Sequence, residues 1–346
     1  MHRRTVKKDA LFPKISLLFA FLLCNLCTNP VTAKKHYIKK LITSASVYAQ
    51  LSFLASDTLE GRRAGSNGGK AAGEYIMQCF RDCGVKPYFS HDNYCQYFEG
   101  GGKRNGQPSW GLERPDPVTL NMRNIVGMVE GKIRDEYIIV GAHYDHLGVG
   151  IPVDGDSIYN GADDNASGIV AVLQLAKAFA AQKKQPKRTI LFALWDGEEQ
   201  KMSGSMHFVK NFADSSNIKA YINFDMIGRD THEEQPNSFY FYYADAYPVF
   251  AQWGREAIKK YKLDLSPSFN KLKFNYVYIR MLSDYLSFSL CQRPFIHYNT
   301  GIHEDLHKPS DETDKINIDK ATAIIQSAYY VINQLSERTD YLSEPM

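Results

Sequence analysis

Two hydrophobic patterns alternate along the chain from about residue 120 onward. Short apolar runs bounded by polar residues are typical of buried strands, and helical segments with apolar residues three or four positions apart separate them. The apolar runs are "NIVGMVEG", "EYIIVGAHYDHL", "RTILFALW", "IKAYINFDMIG", "FYFYYA" and "RPFIHYNT". The helical segments are 166–182, "SGSMHFVKNFA", 246–261 and 317–337. This alternation predicts an α/β fold, a three-layer sandwich in which helices flank a central, mostly parallel mixed sheet.

The pattern is less regular nearer the amino terminus. Residues 45–60 and 68–82 are predicted to form amphipathic helices, with the Gly-rich loop "EGRRAGSNGG" between them. The polar, Gly- and Pro-rich stretch 97–120 is predicted to be a loop, and "NIVGMVEG" and "EYIIVGAHYDHL" are predicted to be neighbouring strands. We therefore expect one domain over 34–346, in which a helical and loop segment (34–122) packs on a core (123–340).

The first 33 residues have the pattern of a signal peptide. A basic stretch, "MHRRTVKKDALFPK", precedes the apolar "ISLLFAFLLCNL" and the small-residue site "VTA". The apolar run is shorter than the roughly 20 residues that span a bilayer. We expect cleavage near Ala33 and export to the periplasm or the exterior, with no stable membrane anchor. The alternative is an anchor, including a lipid on Cys24 or Cys27, but neither cysteine follows a small residue.

Removal of this segment changes the charge of the chain. The 346 residues carry a formal charge of +3, whereas residues 1–33 contain five basic side chains and one acidic side chain. The remainder is therefore close to −1, and it contains no basic patch with interleaved aromatic residues. We expect no nucleic-acid partner. The oligomeric state is not predicted from the sequence.

Four cysteines remain after the predicted cleavage site, and export permits disulfides. Cys79 and Cys83 would lie one helical turn apart, which is a poor geometry for a bond between them. A Cys83–Cys95 bond is the favoured pairing, and free thiols are the alternative. No CxxC zinc pattern is present.

Histidines and carboxylates follow five successive strand or turn positions. They are His143, Asp145 and His146; Asp163 and Asp164; Glu198 and Glu199; Asp225; and His303, Glu304, Asp305 and His307. In α/β sheets such positions meet at the carboxyl ends of the strands. A cluster of like charges there is costly unless a cation neutralises it. Imidazole and carboxylate are ligands of zinc, and the excess of carboxylates suggests two ions that share a bridge.

The motifs "GAHYDHLG", "NGADDNASG", "DGEEQKMSGS", "NFDMIG" and "HKPSDET" resemble, in this order, those of metallopeptidase family 28. The amino-terminal "LASDTLEGRRAGSNGGKAAGEYI" is similar to the segment that precedes the core in bacterial members. The resemblance covers roughly residues 45–340. It implies a zinc exopeptidase-like fold. The family contains secreted aminopeptidases, glutamate carboxypeptidases and the related glutaminyl cyclases.

The resemblance also implies a role for each residue of the site. Asp164 would bridge two Zn²⁺ ions, and its peptide bond to Asn165 would be cis. The remaining metal ligands would be His143 and Asp225 on one ion, and Glu199 and His307 on the other. Glu198 would be the general base that takes a proton from a water molecule shared by the ions and delivers it to the leaving amine.

Two further acidic residues are predicted to support this site. Asp145 lies two residues after His143, so both face the same way on a strand and Asp145 can hold the second imidazole nitrogen. Asp311 follows His307 by four residues and can serve similarly. Asp163 is expected to hydrogen-bond within its own turn.

The remaining histidines near these motifs are not predicted to bind metal. His146 and His303 are interpreted as polar loop residues, and His297 as a satisfied core or edge histidine. Ser167 lacks a GxSxG elbow, which argues against a serine hydrolase. The chain departs from the bacterial family pattern at "LSDYLSF", where Tyr285 replaces the usual His. The aromatic segment 268–289 is a candidate lining for a side-chain pocket, with plain core packing as the alternative.

The favoured function is a secreted zinc aminopeptidase that acts on peptide substrates. One alternative is a glutaminyl cyclase with a single zinc ion, which also carries the "DGEE" motif. Cyclases have Ser where this chain has Asn165, and their last His has a different context. A carboxypeptidase of the same family is a second alternative. An inactive binding module is disfavoured because all five ligands and the base are present.

Overall fold

A mixed sheet of nine strands forms the centre of the computed structural model within the residues that it describes, which are 38–90, 93–103, 117–232, 234–275 and 282–343. The predicted signal peptide lies outside these residues. The strands along the chain are β1 (Lys86–Pro87), β2 (Cys95–Lys103), β3 (Pro117–Val129), β4 (Ile133–His143), β5 (Gly148–Val153), β6 (Asp156–Tyr159), β7 (Arg188–Trp195), β8 (Ile218–Phe224), β9 (Ser238–Ala244), β10 (Ser266–Leu272) and β11 (Phe295–Asn299). β5 and β6 form a separate antiparallel hairpin.

The order of the strands places four parallel strands side by side. The order is β1-β3-β7-β4-β8-β11-β9-β10, with β2 also paired to β3. β4 is parallel to both β7 and β8, and β8 is parallel to β11. β3 and β9 run antiparallel to their neighbours in this central group. The carboxyl ends of β7, β4, β8 and β11 therefore meet at one edge of the sheet.

Helices cover both faces of this sheet. They are α1 (Ser44–Leu54), α2 (Asn67–Cys83), α3 (Gly168–Ala180), α4 (Ser203–Lys210), α5 (Val249–Tyr261), α6 (Tyr285–Leu290) and α7 (Ile318–Glu337). In β7, Phe192 contacts Phe179 of α3, whereas Trp195 contacts Phe208 of α4 and Phe288 of α6. Residues three apart on a strand point to opposite faces. The predicted three-layer α/β sandwich is thus confirmed. Within the described residues, no helix combines the length and the apolar character needed to cross a membrane.

Three predictions about local structure are wrong. Part of the predicted 97–120 loop is the β2–β3 pair, in which Gly100 lies opposite Leu120. An edge strand needs little apolar character, because backbone hydrogen bonds supply much of its pairing. The first helix ends at Leu54, and a separate 3₁₀ turn, Asp57–Arg62, follows it.

The third error concerns β3 and β4, which are not neighbours. β7 lies between them, antiparallel to β3 and parallel to β4. The short link between β3 and β4 passes beneath the start of β7, where Lys132 and Ile133 donate backbone hydrogen bonds to the carbonyls of Pro186 and Lys187. Two strands joined by a short link are expected to pair as a hairpin. Here the link passes the start of β7, so that β3 and β4 lie on opposite sides of β7.

The favoured Cys83–Cys95 disulfide is also absent. All four cysteines of the described part of the chain are free. The Sγ atom of Cys95 is buried and lies 3.5 Å from Met77 Sδ, whereas the Cys83 thiol donates to the carbonyl of Phe80 at the end of α2. The two thiols are thus held by different partners.

Candidate metal centre

The carboxyl ends of the central strands form the wall of one cavity. His143 is the last residue of β4, Asp225 follows β8, and Glu198 and Glu199 lie in the turn after β7. The cavity has a volume of about 270 Å³. It is lined by His143, Asp164, Glu198, Glu199, Asp225 and His307, together with Met226, Leu282, Ile302 and Leu306. The structure therefore brings together all five predicted ligands and the predicted base; their roles remain predictions.

Three of these side chains form a first cluster of donor atoms. His143 Nε2 lies 3.4 Å from Asp164 Oδ1 and 3.7 Å from Asp225 Oδ1. Donors bound tetrahedrally at 2.0–2.2 Å are separated by roughly 3.3–3.6 Å. Asp225 Oδ1 is buried and has no hydrogen-bond partner among the residues described. A buried carboxylate oxygen without a partner is costly, and a cation at this point would remove that cost. The cluster therefore fits one metal ion.

A second cluster surrounds the other oxygen of Asp164. His307 Nε2 lies 3.1 Å from Asp164 Oδ2 and 3.3 Å from Glu199 Oε1. His146 Nδ1 also faces this cluster, 3.1 Å from Glu199 Oε1 and 3.6 Å from Asp164 Oδ2. Each Asp164 oxygen thus faces a different group of donors, which is the arrangement expected of a bridging carboxylate. His146, Asp164 and Glu199 form a group that could hold a metal ion.

The electrostatics of the two clusters favour added positive charge. Burial disfavours a charge on His307, but the carboxylates of Glu199 and Asp164 outweigh it and raise its pKa to about 11. The pKa of His143 is likewise raised well above its usual value, because the nearby carboxylates of Asp145, Asp164 and Asp225 overcome its burial. For Asp164, burial is outweighed by the imidazoles of His146, His143 and His307, and its pKa is well below the usual range. The carboxylates of both clusters thus stabilise positive charge at the positions where a metal ion would supply it.

Glu198 differs from its neighbour Glu199. Its side chain is half-buried in the cavity wall and belongs to neither donor cluster. Burial raises the pKa of Glu198 well above its usual value, and the carboxylates of Glu199 and Asp284 add to this, while His143 opposes it. Consecutive residues in the turn after β7 therefore present one carboxylate to the second cluster and another to the open cavity.

Asp145 supports the site in a different way from the predicted one. The atom that lies at hydrogen-bond distance from His143 Nδ1, at 3.1 Å, is the backbone carbonyl oxygen of Asp145. The carboxylate is 3.7 Å from that nitrogen. It accepts instead the backbone N–H groups of Glu198, at 3.0 Å, and Glu199, at 3.3 Å. The chain turns after His143, so the alternation expected of a straight strand no longer applies.

Asp311 also binds a different partner from the predicted His307. Its carboxylate accepts the backbone N–H groups of Asp163 and Asp164, at 3.0–3.1 Å. The Asp163 carboxylate accepts the N–H of Gly228, in the segment after β8, and the Asp163 carbonyl accepts the Ser167 hydroxyl within its own turn, as predicted. These bonds tie the turn that carries Asp164 to two other loops. The peptide bond between Asp164 and Asn165 is cis, as the resemblance implied.

Asn165 connects the same turn to β8. Its amide donates to the carbonyl of Phe224, and its Oδ1 accepts the N–H of Gly168 at the start of α3. A Cβ on Gly168 would lie 2.2 Å from Asn165 Oδ1 and 2.6 Å from Phe224 O, so only glycine fits there. The sequence "DNASG" thus sets the position of Asp164 relative to Asp225.

Two residues of the site were missed in the sequence. His146 was interpreted as a loop residue, yet it is buried against the second cluster. Its proximity to His143 in "HYDH" was the available signal. Arg62 is fully buried and donates to the carbonyls of Tyr144, Asn160 and Gly161, beside the segments that carry His143 and Asp164. Nothing in its local sequence predicts that an arginine is buried there.

The other two histidines lie away from the donor clusters. His303 is 3.5 Å from the carboxylate of Asp163 and contacts Arg229. His297 is buried in the sheet, as predicted, with its Nδ1 at 3.0 Å from the amide nitrogen of Asn223. Tyr285, the residue that departs from the family pattern, stacks on His297 and does not line the cavity. From the segment 268–289, Leu282 does line it, whereas 276–281 lie outside the described residues.

A family model, described as peptidase family M28, matches residues 124–332 of the chain. The chain belongs to peptidase family M28. The match spans the two donor clusters and Glu198, which confirms the resemblance inferred from the motifs.

Individual relatives and solved structures agree with this assignment. A probable zinc metalloprotease of Pyrenophora tritici-repentis is 37% identical over 117 residues, which are 33% of this chain and 26% of the relative. The chain thus spans about a quarter of the length of such curated relatives. The LapA aminopeptidase of Legionella pneumophila has the same fold, with a TM-score of 0.66, 20% identity, and coverage of 89% of this chain and 76% of LapA. The glutaminyl cyclase of Porphyromonas gingivalis shares the fold as well, with a TM-score of 0.62, 17% identity, and coverage of 85% and 99%.

Proposed function

We propose that this M28 protein is a two-zinc aminopeptidase that removes residues from the free amino termini of peptides. The observation that carries the proposal is one cavity whose wall holds both donor clusters and the separate carboxylate of Glu198. A hydrolytic metal site needs ligands, an unligated base and room for substrate in one place. All three requirements meet at this cavity.

The side chains have distinct tasks in this proposal. Zinc ions held by the two clusters would lower the pKa of a water molecule that they share and would polarise the scissile carbonyl. Glu198 would accept a proton from the attacking water on its carboxylate and deliver it to the leaving amine nitrogen. Asp145 and Asp311 would hold the two turns that carry Glu198 and Asp164, so that these carboxylates keep their positions during the reaction.

The charge of the cavity favours an amino terminus over a carboxyl terminus. Its lining contains the carboxylates of Glu198 and Asp225, and among the described residues neither Lys nor Arg lines it. With zinc ions balancing the ligand carboxylates, the Glu198 carboxylate remains to attract a free α-ammonium group, whereas no Lys or Arg of the described lining is present to pair with a terminal carboxylate. An aminopeptidase is therefore favoured over a carboxypeptidase of the same family.

The apolar part of the wall favours an apolar side chain on the residue that is removed. Met226, Leu282, Ile302 and Leu306 also line the cavity. Burial of each additional methylene against such a wall stabilises the bound substrate by about 0.8 kcal/mol. We expect leucyl or methionyl substrates to be cleaved about 10-fold to 100-fold faster than aspartyl or glycyl ones, measured as kcat/KM.

Glutaminyl cyclase activity is the second candidate, because the Porphyromonas gingivalis enzyme of that name shares the fold. The separate donor clusters on the two oxygens of Asp164 favour two ions, which supports hydrolysis instead.

Export through residues 1–33 is also part of the proposal. It rests on the order of a basic stretch, an apolar stretch and a small-residue site in that segment.

An aminoacyl-anilide panel tests the proposal. Leucyl-anilide should be hydrolysed, and its N-acetylated form should not, because acetylation removes the ammonium group. A peptide with a blocked amino terminus and a free carboxyl terminus tests the carboxypeptidase alternative, and a Gln-peptide tests cyclisation. Cleavage of the blocked peptide, or cyclisation without anilide hydrolysis, would overturn the aminopeptidase assignment.

A further inference from the structure

His146 is a buried histidine beside the site, and it is not one of the five predicted metal ligands. Its ring is 1% exposed, and its Nδ1 points into the second donor cluster. It leaves the sheet three residues after His143, and the backbone N–H of His146 is bonded to the carbonyl of Arg62. The imidazole is therefore fixed beside Glu199 by the fold itself.

The distances around His146 match those around His307. His146 Nδ1 lies 3.1 Å from Glu199 Oε1 and 3.6 Å from Asp164 Oδ2. For His307 Nε2, the distances to the same two oxygens are 3.3 Å and 3.1 Å. All four separations are close to the roughly 3.3 Å edge of a tetrahedron around zinc. A single hydrogen bond from Nδ1 to Glu199 does not require Nδ1 to approach Asp164 as well.

We propose that His146 Nδ1 is a fourth protein donor to the second ion, beside Asp164, Glu199 and His307. The inference rests on the proposed two-metal function and extends it. With four protein donors, the second ion would take the shared water molecule only as a fifth ligand, which catalytic zinc sites can accommodate. The first position has only His143, Asp164 and Asp225, and it is the one that retains room for water and substrate next to Glu198.

The two positions should therefore differ in affinity. An ion held by four side chains leaves more slowly than one held by three, so chelation should remove the first ion before the second. Zinc added to the metal-free protein should fill the four-donor position first. Activity should follow the filling of the three-donor position, whereas the four-donor position should hold the turn of Glu199 and the loop of His307 together.

X-ray absorption of the zinc-loaded wild-type protein tests the ligand count without any substitution. We expect three imidazole nitrogens for each pair of ions, from His143, His307 and His146. In His146→Ala the count should fall to two imidazole nitrogens. Zinc titration of this variant should show that the dissociation constant of the second site increases by roughly 100-fold or more. Removal of a residue that only supports a ligand typically costs about 10-fold to 100-fold in metal affinity. His303→Ala is the matched control, because it removes a nearby histidine that contacts Asp163 instead. The control should keep three imidazoles and the wild-type affinity.

The outcomes separate this inference from the proposed function. Two imidazoles per pair of ions in the wild type overturn the role of His146, even if His146→Ala weakens binding through a lost hydrogen bond. That result leaves the two-zinc aminopeptidase intact. A wild-type protein that fails to bind two ions overturns the proposed function itself.

Discussion

The carboxylate of Asp145 holds the backbone of Glu198. Asp145 Oδ1 accepts the Glu198 N–H at 3.0 Å, and Oδ2 accepts the following N–H, that of Glu199, at 3.3 Å. The carbonyl of Asp145 lies 3.1 Å from His143 Nδ1. Asp145 alone thereby positions His143, a proposed ligand at the end of β4. It also positions the proposed base Glu198 and the proposed ligand Glu199 after β7.

Replacement of Asp145 should reduce activity through position rather than through loss of a reacting group. Asp145→Ala leaves the N–H groups of Glu198 and Glu199 without their acceptor, so the turn loses its fixed geometry. We expect kcat to fall by roughly 10-fold to 100-fold, with the larger part of zinc content retained. Asp145→Asn keeps one acceptor oxygen and should lie between Asp145→Ala and the wild type. Equal activity of all three proteins would contradict this role.

Glu198 and Glu199 should respond differently to substitution. Glu198→Ala should retain two zinc ions and lose about 10²–10⁴-fold or more in kcat, because the general base is removed. Glu199→Ala should lose zinc from the second position. Metal analysis and kinetics of both variants check the assignment. Metal loss in Glu198→Ala, together with an active Glu199→Ala, would reverse the two roles.

Arg62 should be important for stability although it lies outside the residues matched by the family model. It is fully buried and donates to the carbonyls of Leu54, Tyr144, Asn160 and Gly161. Burial lowers the pKa of Arg62 to about 10, with opposition from the carboxylates of Asp164, Asp311 and Asp145. The guanidinium therefore remains charged at neutral pH.

Arg62→Met should lower the free energy of unfolding by about 3–5 kcal/mol, since it leaves buried carbonyls without donors and buried carboxylates without a cation. Denaturant unfolding measures this change. Arg81→Met is the control, because Arg81 is exposed on α2 and bonded only locally to Gln78, and it should change stability by less than about 0.5 kcal/mol. Similar stability of the two variants would show that Arg62 does not join the amino-terminal segment to the core.

His297 should make the free energy of unfolding depend on pH in the mildly acidic range. Burial lowers its pKa to about 4, against the usual 6.5, with the charge of Asp225 opposing. The ring stacks on Tyr242 and Tyr285 and faces the amide of Asn223. Between these pKa values the unfolded chain binds a proton that the folded chain does not, so stability falls as the pH decreases from about 6.5 to about 4.

The contribution of His297 is isolated by substitution. From pH 6 to pH 4.5, the free energy of unfolding of the wild type should fall by on the order of 1–2 kcal/mol more than that of His297→Gln. Other titrating groups are common to both proteins and cancel in the difference. Parallel pH profiles would mean that the imidazole is protonated in the folded state.

The meeting of the site residues at one edge of the sheet could be predicted, because it depends on the direction of the strands rather than on their order. Residues that follow parallel strands meet at one edge even when the neighbours are assigned incorrectly, as they were for β3 and β4. The order of Glu198 and Glu199, in contrast, came from the family resemblance, since an alternating strand predicts only that they diverge.

Contacts between distant segments could not be predicted from spacing. Asp311 was assigned to His307, four residues away, but its partners are the N–H groups of Asp163 and Asp164, from another loop. His146 was assigned to a loop because a single histidine near a strand end has no pattern of its own. Its burial against Glu199 depends on the bend of the chain after Asp145.

The most direct test of the central claim is a zinc titration of the chelated protein, followed by hydrolysis of leucyl-anilide. The two-cluster arrangement predicts no hydrolysis without metal and full recovery once two zinc ions per chain are bound. Undiminished hydrolysis by the fully chelated protein, or no hydrolysis with both positions filled, would contradict a two-zinc aminopeptidase.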